Sequence, residues 1–451
     1  MSLLERSDIE LLRNALDTLQ AGFDQLPDFA PASDAGKVQE VLTEVALRMR
    51  NNYPYHHPRY AGQMLKPPHR IARLAYALSL WINPNNHALD GGIASSAMEQ
   101  ECVAALGKML NLKNPLGHLC GGGTMANLEA LWVAGRLHPG KTILASAQAH
   151  YTHSRISDVL ALDYESIAVT ADGRMDIAAL EQRLRQGDVG TVVVTLGTTG
   201  LGAVDPLSEF LDLRDRYGFR VHVDAAYGGY FLLADGLDAM ARAAFARIGE
   251  VDSIVIDPHK HGLQPYGCGC VLFRDPSVGS LYKHDSPYTY FSSAELHLGE
   301  ISLECSRPGA AAVALWATQQ LLPMLPGGDF ASGLDRCLLA ARELWRRLDA
   351  STRYRVFMPP TLDIVVFALD AADAKTASEK AQDLFHSAAR NDLHLALIEL
   401  PANIVSHYWP ELVLNRDSLT CMRSCLMKPE HLDWIDDIWS TLESAAVGLG
   451  D

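Results

Sequence analysis

Three short runs carry residue types that can do chemistry together. Asp257-Pro258-His259-Lys260 follows directly on the apolar run Ser253-Ile254-Val255-Ile256. A lysine at the end of a strand can form a covalent imine with a carbonyl compound. Thirty-six residues before Lys260, another apolar run ends in His222-Val223-Asp224-Ala225-Ala226-Tyr227-Gly228-Gly229. Its carboxylate falls at the carboxyl edge of a sheet, where open α/β sheets bind ligands. Earlier still, Gly121-Gly122-Gly123-Thr124 leads into a helix that starts near Met125. Glycines there expose backbone amides and the positive end of the helix, which is a phosphate site. Taken singly, each run has an ordinary structural reading: a surface lysine, a strand-end aspartate, a glycine turn. Together they supply what pyridoxal 5'-phosphate needs: amides for the phosphate, a carboxylate for the ring nitrogen and an amine for the aldehyde.

These residues need a sheet to hold them. Apolar strands are expected at 142–146, 191–196, 220–224, 253–257 and 269–273. Most are continuously apolar rather than alternating, which suits a parallel sheet covered by helices on both faces. Helices are expected at 176–186, 206–218 and 306–322, between or after these strands. Residues 2–20 and 37–50 read as amphipathic helices, and the Pro-, His- and Asn-rich stretch 51–70 as loop. A helix over 329–349, a strand over 363–368, and helices over 372–390 and 429–446 make a smaller C-terminal unit. The fold class is therefore α/β: a large, mixed but mostly parallel sheet domain plus a small C-terminal α+β domain. The expected division is an N-terminal helical segment over 1–50, a large cofactor-binding domain over 51–325 and the small domain over 326–451.

The motifs also resemble, in order, those of the group II pyridoxal-phosphate-dependent amino acid decarboxylases, which act on glutamate, tyrosine and aromatic amino acids. The similarity covers roughly residues 50–445. Gly121–Asn127 resembles the family's phosphate-binding turn, and Ala145-Ser146-Ala147-Gln148-Ala149-His150 the segment whose histidine stacks on the cofactor ring. Leu196-Gly197-Thr198-Thr199-Gly200 resembles a segment beside that ring. The runs ending at Tyr227 and Lys260 resemble the aspartate and lysine motifs. The resemblance implies an aspartate-aminotransferase-like fold and a homodimer with the active site at the subunit interface. It implies that Lys260 holds the cofactor as a Schiff base and that Asp224 binds the ring nitrogen. Ala226 packs on the ring face opposite His150, Gly123 and Thr124 hold the phosphate with His259 nearby, and Thr199 lies near the ring substituents. It further implies a loop tyrosine that protonates Cα after CO2 is lost, with Tyr290 favoured and Tyr288 second, and an arginine, Arg423, that contacts the substrate carboxylate. Asn83–His87 falls where the family places substrate-contacting residues, which makes His87 a substrate candidate.

One run blurs the reaction. Ser306-Arg307-Pro308-Gly309-Ala310 also resembles the sphingosine-phosphate lyases, which cleave a carbon–carbon bond, and its serine is a candidate cap for the helix beginning near Pro308. A lyase or an aminotransferase is thus the alternative to the decarboxylase, and a catalytically dead homologue that binds the cofactor or a partner protein is a third reading.

Composition bounds the rest. The chain has 451 residues, with 38 Lys+Arg against 54 Asp+Glu and a net charge of -16. That charge repels phosphate backbones and argues against a nucleic-acid partner. Apolar runs fall short of the roughly 20 residues of a membrane span, and residues 1–20 have no signal-peptide core. The expectation is a soluble cytoplasmic protein whose partner is a small molecule, an amino acid substrate. Eight cysteines, with only Cys268/Cys270 and Cys421/Cys425 close together, do not follow zinc-ligand spacing, so no metal is expected.

Overall fold

The computed structural model describes residues 5–27, 34–283 and 302–449. Seven strands form the large sheet: β1 (Leu116–Cys120), β2 (Thr142–Ser146), β3 (Tyr164–Ile167), β4 (Val189–Thr195), β5 (Arg220–Asp224), β6 (Ser253–Ile256) and β7 (Gly269–Phe273). Their spatial order is β1-β7-β6-β5-β4-β2-β3. The pairs from β3 to β6 are parallel, whereas β7 runs antiparallel to both β6 and β1. Two antiparallel pairings in succession return β1 to the common direction. The carboxyl ends of β1, β2, β4, β5 and β6 therefore share one edge of the sheet, and each of the expected cofactor-binding motifs follows one of these ends.

Strands β1, β2, β6 and β7 are buried along their whole length, the pattern of strands covered on both faces. All five expected strands form. Two that were not expected, β1 and β3, lack an apolar run. In β1, Gly117 is needed because a Cβ there would lie 2.6 Å from the Val271 carbonyl oxygen, and His118 pairs with buried Glu129 at 2.8 Å. In β3 the sequence is Tyr-Glu-Ser-Ile, largely exposed at the sheet's edge.

A second, antiparallel sheet of order β10-β11-β9-β8 is built from β8 (Tyr354–Val356), β9 (Ile364–Leu369), β10 (Ala396–Pro401) and β11 (Ser418–Cys425). The helix Asp329–Asp349 turns Phe330, Leu334, Leu338, Ala341 and Leu348 inward. The expected closing helix is broken: a short 3-10 turn covers Pro429–Leu432 before the helix Ile435–Ala446. There the His431 ring accepts the Lys428 amide at 3.2 Å.

The stretch 51–70 is irregular but anchored. Tyr60 bridges to His394, and a Cβ at Gly62 would lie 2.7 Å from the Leu395 backbone. The helix expected from 306 begins at Gly309, with Pro308 as its N-cap. Ser306 does not cap it; its hydroxyl accepts from Asn85 at 3.1 Å. Arg307 is buried and donates to Glu99 Oε1 (2.6 Å), the Leu119 carbonyl (2.7 Å) and the Asn86 carbonyl (2.7 Å). It thereby ties the helix Ile93–Met109 to β1 and to the start of the next helix.

Candidate active site

A cavity of about 450 Å3 opens at the shared carboxyl edge of the large sheet. Its wall includes Gly121–Thr124, His150, Thr199, Asp224, Ala226, His259 and Lys260. Eight expected cofactor contacts thus meet in one place: Gly123, Thr124, His150, Thr199, Asp224, Ala226, His259 and Lys260. They come from five segments between Gly123 and Lys260, spread over 138 residues.

Asp224 closes β5. Its Oδ2 accepts from His153 Nε2 (2.9 Å) and Asn127 Nδ2 (3.3 Å), and its Oδ1 from the Ala226 amide (3.0 Å). An ionised carboxylate only accepts, so both neighbours must donate. That fixes the Asn127 amide: its Nδ2 faces Asp224, and its Oδ1 takes the Nε2–H of His222 at 2.8 Å. His222 Nδ1 is then the acceptor of the Ser253 hydroxyl at 2.8 Å. Burial pushes His222 down to about 3, so it stays neutral in this chain of bonds. Burial alone would raise the Asp224 carboxyl. The His153 hydrogen bond and charge, with the Lys260 ammonium beyond, outweigh it and hold the carboxyl well below the usual carboxylate range. A fixed anion whose Oδ1 has one further lone pair is suited to hold a proton on a heteroaromatic nitrogen.

Sequence reasoning missed His153, His222 and Asn127 as a support for Asp224. A signal existed for one of them. His222 and Asp224 stand two apart on one strand, so their side chains share a face.

Lys260 lies in the turn after β6, where its amide closes on the Asp257 carbonyl at 2.9 Å. Its Nζ sits 3.0 Å from Asp257 Oδ2. His259 donates from Nδ1 to the Cys268 carbonyl (2.8 Å), and burial pushes its pKa down. His150 is also lowered by burial. Its Nδ1 accepts the Thr152 amide at 3.2 Å and faces the Thr152 hydroxyl, so its proton sits on Nε2.

The glycine turn is tightly confined. Gly122 has φ +144°, where side chains are strained, and a Cβ on Gly123 would lie 2.7 Å from Asp257 Oδ2. The turn is also pinned from below. A Cβ on Gly269, between Cys268 and Cys270, would lie 2.5 Å from the Gly122 carbonyl carbon. The close cysteine pair therefore flanks a packing glycine, and both sulfurs are buried.

The other expected contacts stand differently. Arg423 in β11 is not on the cavity wall. It is buried, donates to the Thr199 carbonyl (2.6 Å) and Gln63 Oε1 (3.0 Å), and so braces a loop that is on that wall. His87 lies in the loop before the helix Ile93–Met109 and does not line the cavity. Tyr288 and Tyr290 lie outside the described residues. Tyr282, at the head of that segment, is buried, with its hydroxyl on Glu129 at 3.1 Å.

The cavity fits pyridoxal phosphate. It offers a glycine turn at a helix start, an anionic carboxylate and a primary amine. Buried Thr195 Oγ1 and Asp257 Oδ1, on wall residues, have no hydrogen-bond partner among the described residues.

Comparison with known proteins agrees. The pyridoxal-dependent decarboxylase conserved domain matches residues 133–370, just over half of the chain. The chain belongs to the pyridoxal-dependent decarboxylase family. The cofactor of this decarboxylase is pyridoxal phosphate, and its reaction is decarboxylation of an amino acid. It is 29% identical to the L-tyrosine decarboxylase of Enterococcus faecium over 399 residues, spanning 66% of this chain and 65% of that enzyme. It is also 29% identical to a probable L-tyrosine/L-aspartate decarboxylase of Methanothermobacter thermautotrophicus, over 72% of this chain and 87% of the other. Among solved structures, Oryza sativa TDC with PLP and tryptamine has the same fold. Its TM-score is 0.80 at 18% identity, with both chains covered in full. Mouse CSAD does so as well, with a TM-score of 0.78 at 19% identity, covering 99% of this chain and 100% of that one.

Proposed function

We propose that the decarboxylase works through Lys260, Asp224 and His150, and that tyrosine and aspartate are the first substrates to test. The observation that carries the assignment of residues is the meeting of Lys260, Asp224 and the Gly121–Thr124 turn around one cavity. The substrates come from the names of the relatives.

When bound, the cofactor supplies a protonated pyridine ring that accepts the electron pair left behind as CO2 departs. In this reading Asp224 keeps the proton on the ring nitrogen, with its own charge fixed by His153 and Asn127. Lys260 provides the amine that anchors the cofactor, and Asp257 orients it. His150, neutral with its proton on Nε2, covers one face and Ala226 the other. Gly123 and Thr124 take the phosphate, with His259 beside them, while Thr199 is held at the wall by Arg423. Proton delivery to Cα is assigned, from sequence alone, to Tyr290 with Tyr288 second; His87, a substrate candidate by resemblance, lies off the wall of this cavity. In the run Ser306–Ala310 that resembles the lyases, Arg307 is committed to packing through Glu99, so that residue carries no argument for carbon–carbon cleavage.

The test is direct. Lys260→Ala should abolish turnover, and borohydride treatment of the wild type should leave a cofactor adduct on the Lys260 peptide. An adduct on another lysine sinks the assignment. Tyr290→Phe should keep cofactor binding and slow amine formation by about 10²–10⁴, the usual worth of a general acid. Normal rates in both Tyr290→Phe and Tyr288→Phe would remove the loop from the mechanism.

A homodimer is part of the proposal. The helix Ala35–Met49 has no buried residue and exposes Val38, Val41, Leu42, Val45 and Met49. An apolar face of this kind is suited to a second copy of the chain. Light scattering should give twice the chain mass, and a monomer at micromolar concentration would refute it. No helix among the described residues is long and apolar enough to cross a membrane. A cytoplasmic site of action is proposed with it, to be checked by fractionation.

A further inference from the structure

A second cavity, of about 560 Å3, lies where residues 56–70, the turn after Lys260, the helix Asp329–Asp349 and the corner at Lys428–Glu430 meet. It shares no wall residue with the cofactor cavity. Two lysines face it. Lys428 is 3% exposed, and Lys66 is partly buried. An ammonium group has three donors. Lys428 Nζ uses one on the Tyr60 carbonyl at 2.6 Å, and Lys66 Nζ uses one on the Met427 carbonyl at 3.2 Å. Among the described residues, no carboxylate lies within 4.0 Å of either nitrogen. The two carboxylates that reach this cavity, Asp329 and Glu430, are exposed at its rim. His261, 1% exposed, adds a ring whose Nδ1 has no hydrogen-bond partner among the described residues.

Buried charge is tolerated when it is paired and hydrogen-bonded. Here two cationic side chains converge with donors left over, and the negative charges that act on them, Asp363 on Lys66 and Glu430 on both, do so without touching either nitrogen. Burial pushes Lys66 down, and burial together with the Lys66 charge pushes Lys428 down to about 7. An anion seated between them would use the spare donors and relieve the mutual repulsion.

We propose that this cavity binds a small oxyanion, a carboxylate or a phosphate, between Lys66 and Lys428, at a site separate from the cofactor. Its volume leaves room for an organic portion against Phe330, Leu334 and Trp434. The site also touches the cofactor cavity through buried groups. His261 Nε2 lies 3.1 Å from Asp363 Oδ2, and Asp363 Oδ1 accepts the hydroxyl of Tyr227, a cofactor-wall residue, at 2.5 Å.

The test uses the cofactor-loaded enzyme, so that the phosphate turn of the first cavity is already filled. Inorganic phosphate and succinate are titrated separately by calorimetry in a zwitterionic buffer, with sodium chloride at matched ionic strength as control. Saturable binding of either anion is expected with a Kd of about 1 mM or tighter. Lys66→Gln and Lys428→Gln should each weaken it at least about tenfold, and Lys66→Arg should retain it. Whichever anion binds identifies the source. Should Lys428→Gln fail to fold, Lys66→Gln alone decides the matter. Absence of saturable binding by both anions, or equal affinity in wild type and variants, overturns the proposal.

Discussion

Asp224 shows how much of a functional residue lies in its neighbours. Three donors fix its charge, and two of them, His153 and Asn127, come from other elements. Changing the carboxylate to an amide removes the anion but keeps the shape. Asp224→Asn is expected to lower turnover at saturating cofactor by at least about a hundredfold, as for other lost electrostatic partners of a reacting group. A loss below tenfold would show that no ring proton is held there. Lys260 and Asp224 were legible from sequence because Asp224 ends an apolar run and Lys260 follows closely on one. Their supports were not, because His153 and Asn127 reach Asp224 across 71 and 97 residues of chain.

Between elements, the cofactor turn depends on a strand that contributes no side chain to it. Gly269 opens β7, and the Gly122 backbone lies directly on it. A methyl group there meets backbone on the other side, which cannot yield as a flexible side chain can. Gly269→Ala is therefore expected to displace the turn, weaken cofactor affinity about tenfold or more and destabilise the fold by about 1–3 kcal/mol, the usual range for overpacking. Equilibrium dialysis and thermal melts would check both, and wild-type affinity would show that the turn is not pinned from β7. In sequence, Gly269 stood between two cysteines and drew attention only as part of a cysteine pair.

For the molecule as a whole, the buried neutral histidines set a direction for stability against pH. Burial pushes His222, in the large sheet, and His431, beside the small one, each down to about 3. In the unfolded chain such groups titrate near about 6.5. Between about 6.5 and about 3 the unfolded state holds protons that the folded state refuses, so acidification favours unfolding. Above about 6.5 these two groups contribute no pH dependence. The melting temperature should fall from pH 7 to pH 5, and His222→Gln should flatten that slope. The difference should approach about 1.36 kcal/mol per pH unit for one proton. Equal slopes in variant and wild type would show that His222 is not the group responsible.

The sequence by itself determined the elements whose stability is local or whose pattern is strong. Continuous apolar runs specify β2, β4, β5, β6 and β7, because strands covered on both faces have no polar side to show. Long amphipathic periods specify helices such as Asp329–Asp349. The motifs at the ends of these strands were enough to name the cofactor and its anchor. Tertiary structure decided what depends on neighbours distant in the chain. It made β1 a strand although it contains Gly117 and His118, because β7 packs against the glycine and Glu129 receives the histidine. It turned Arg307 inward to Glu99, and it placed Arg423 behind Thr199 rather than on the cavity wall. It brought Lys66 and Lys428 together across 362 positions of chain. Local pattern reports which face of an element is buried. Only packing decides which polar group meets it there.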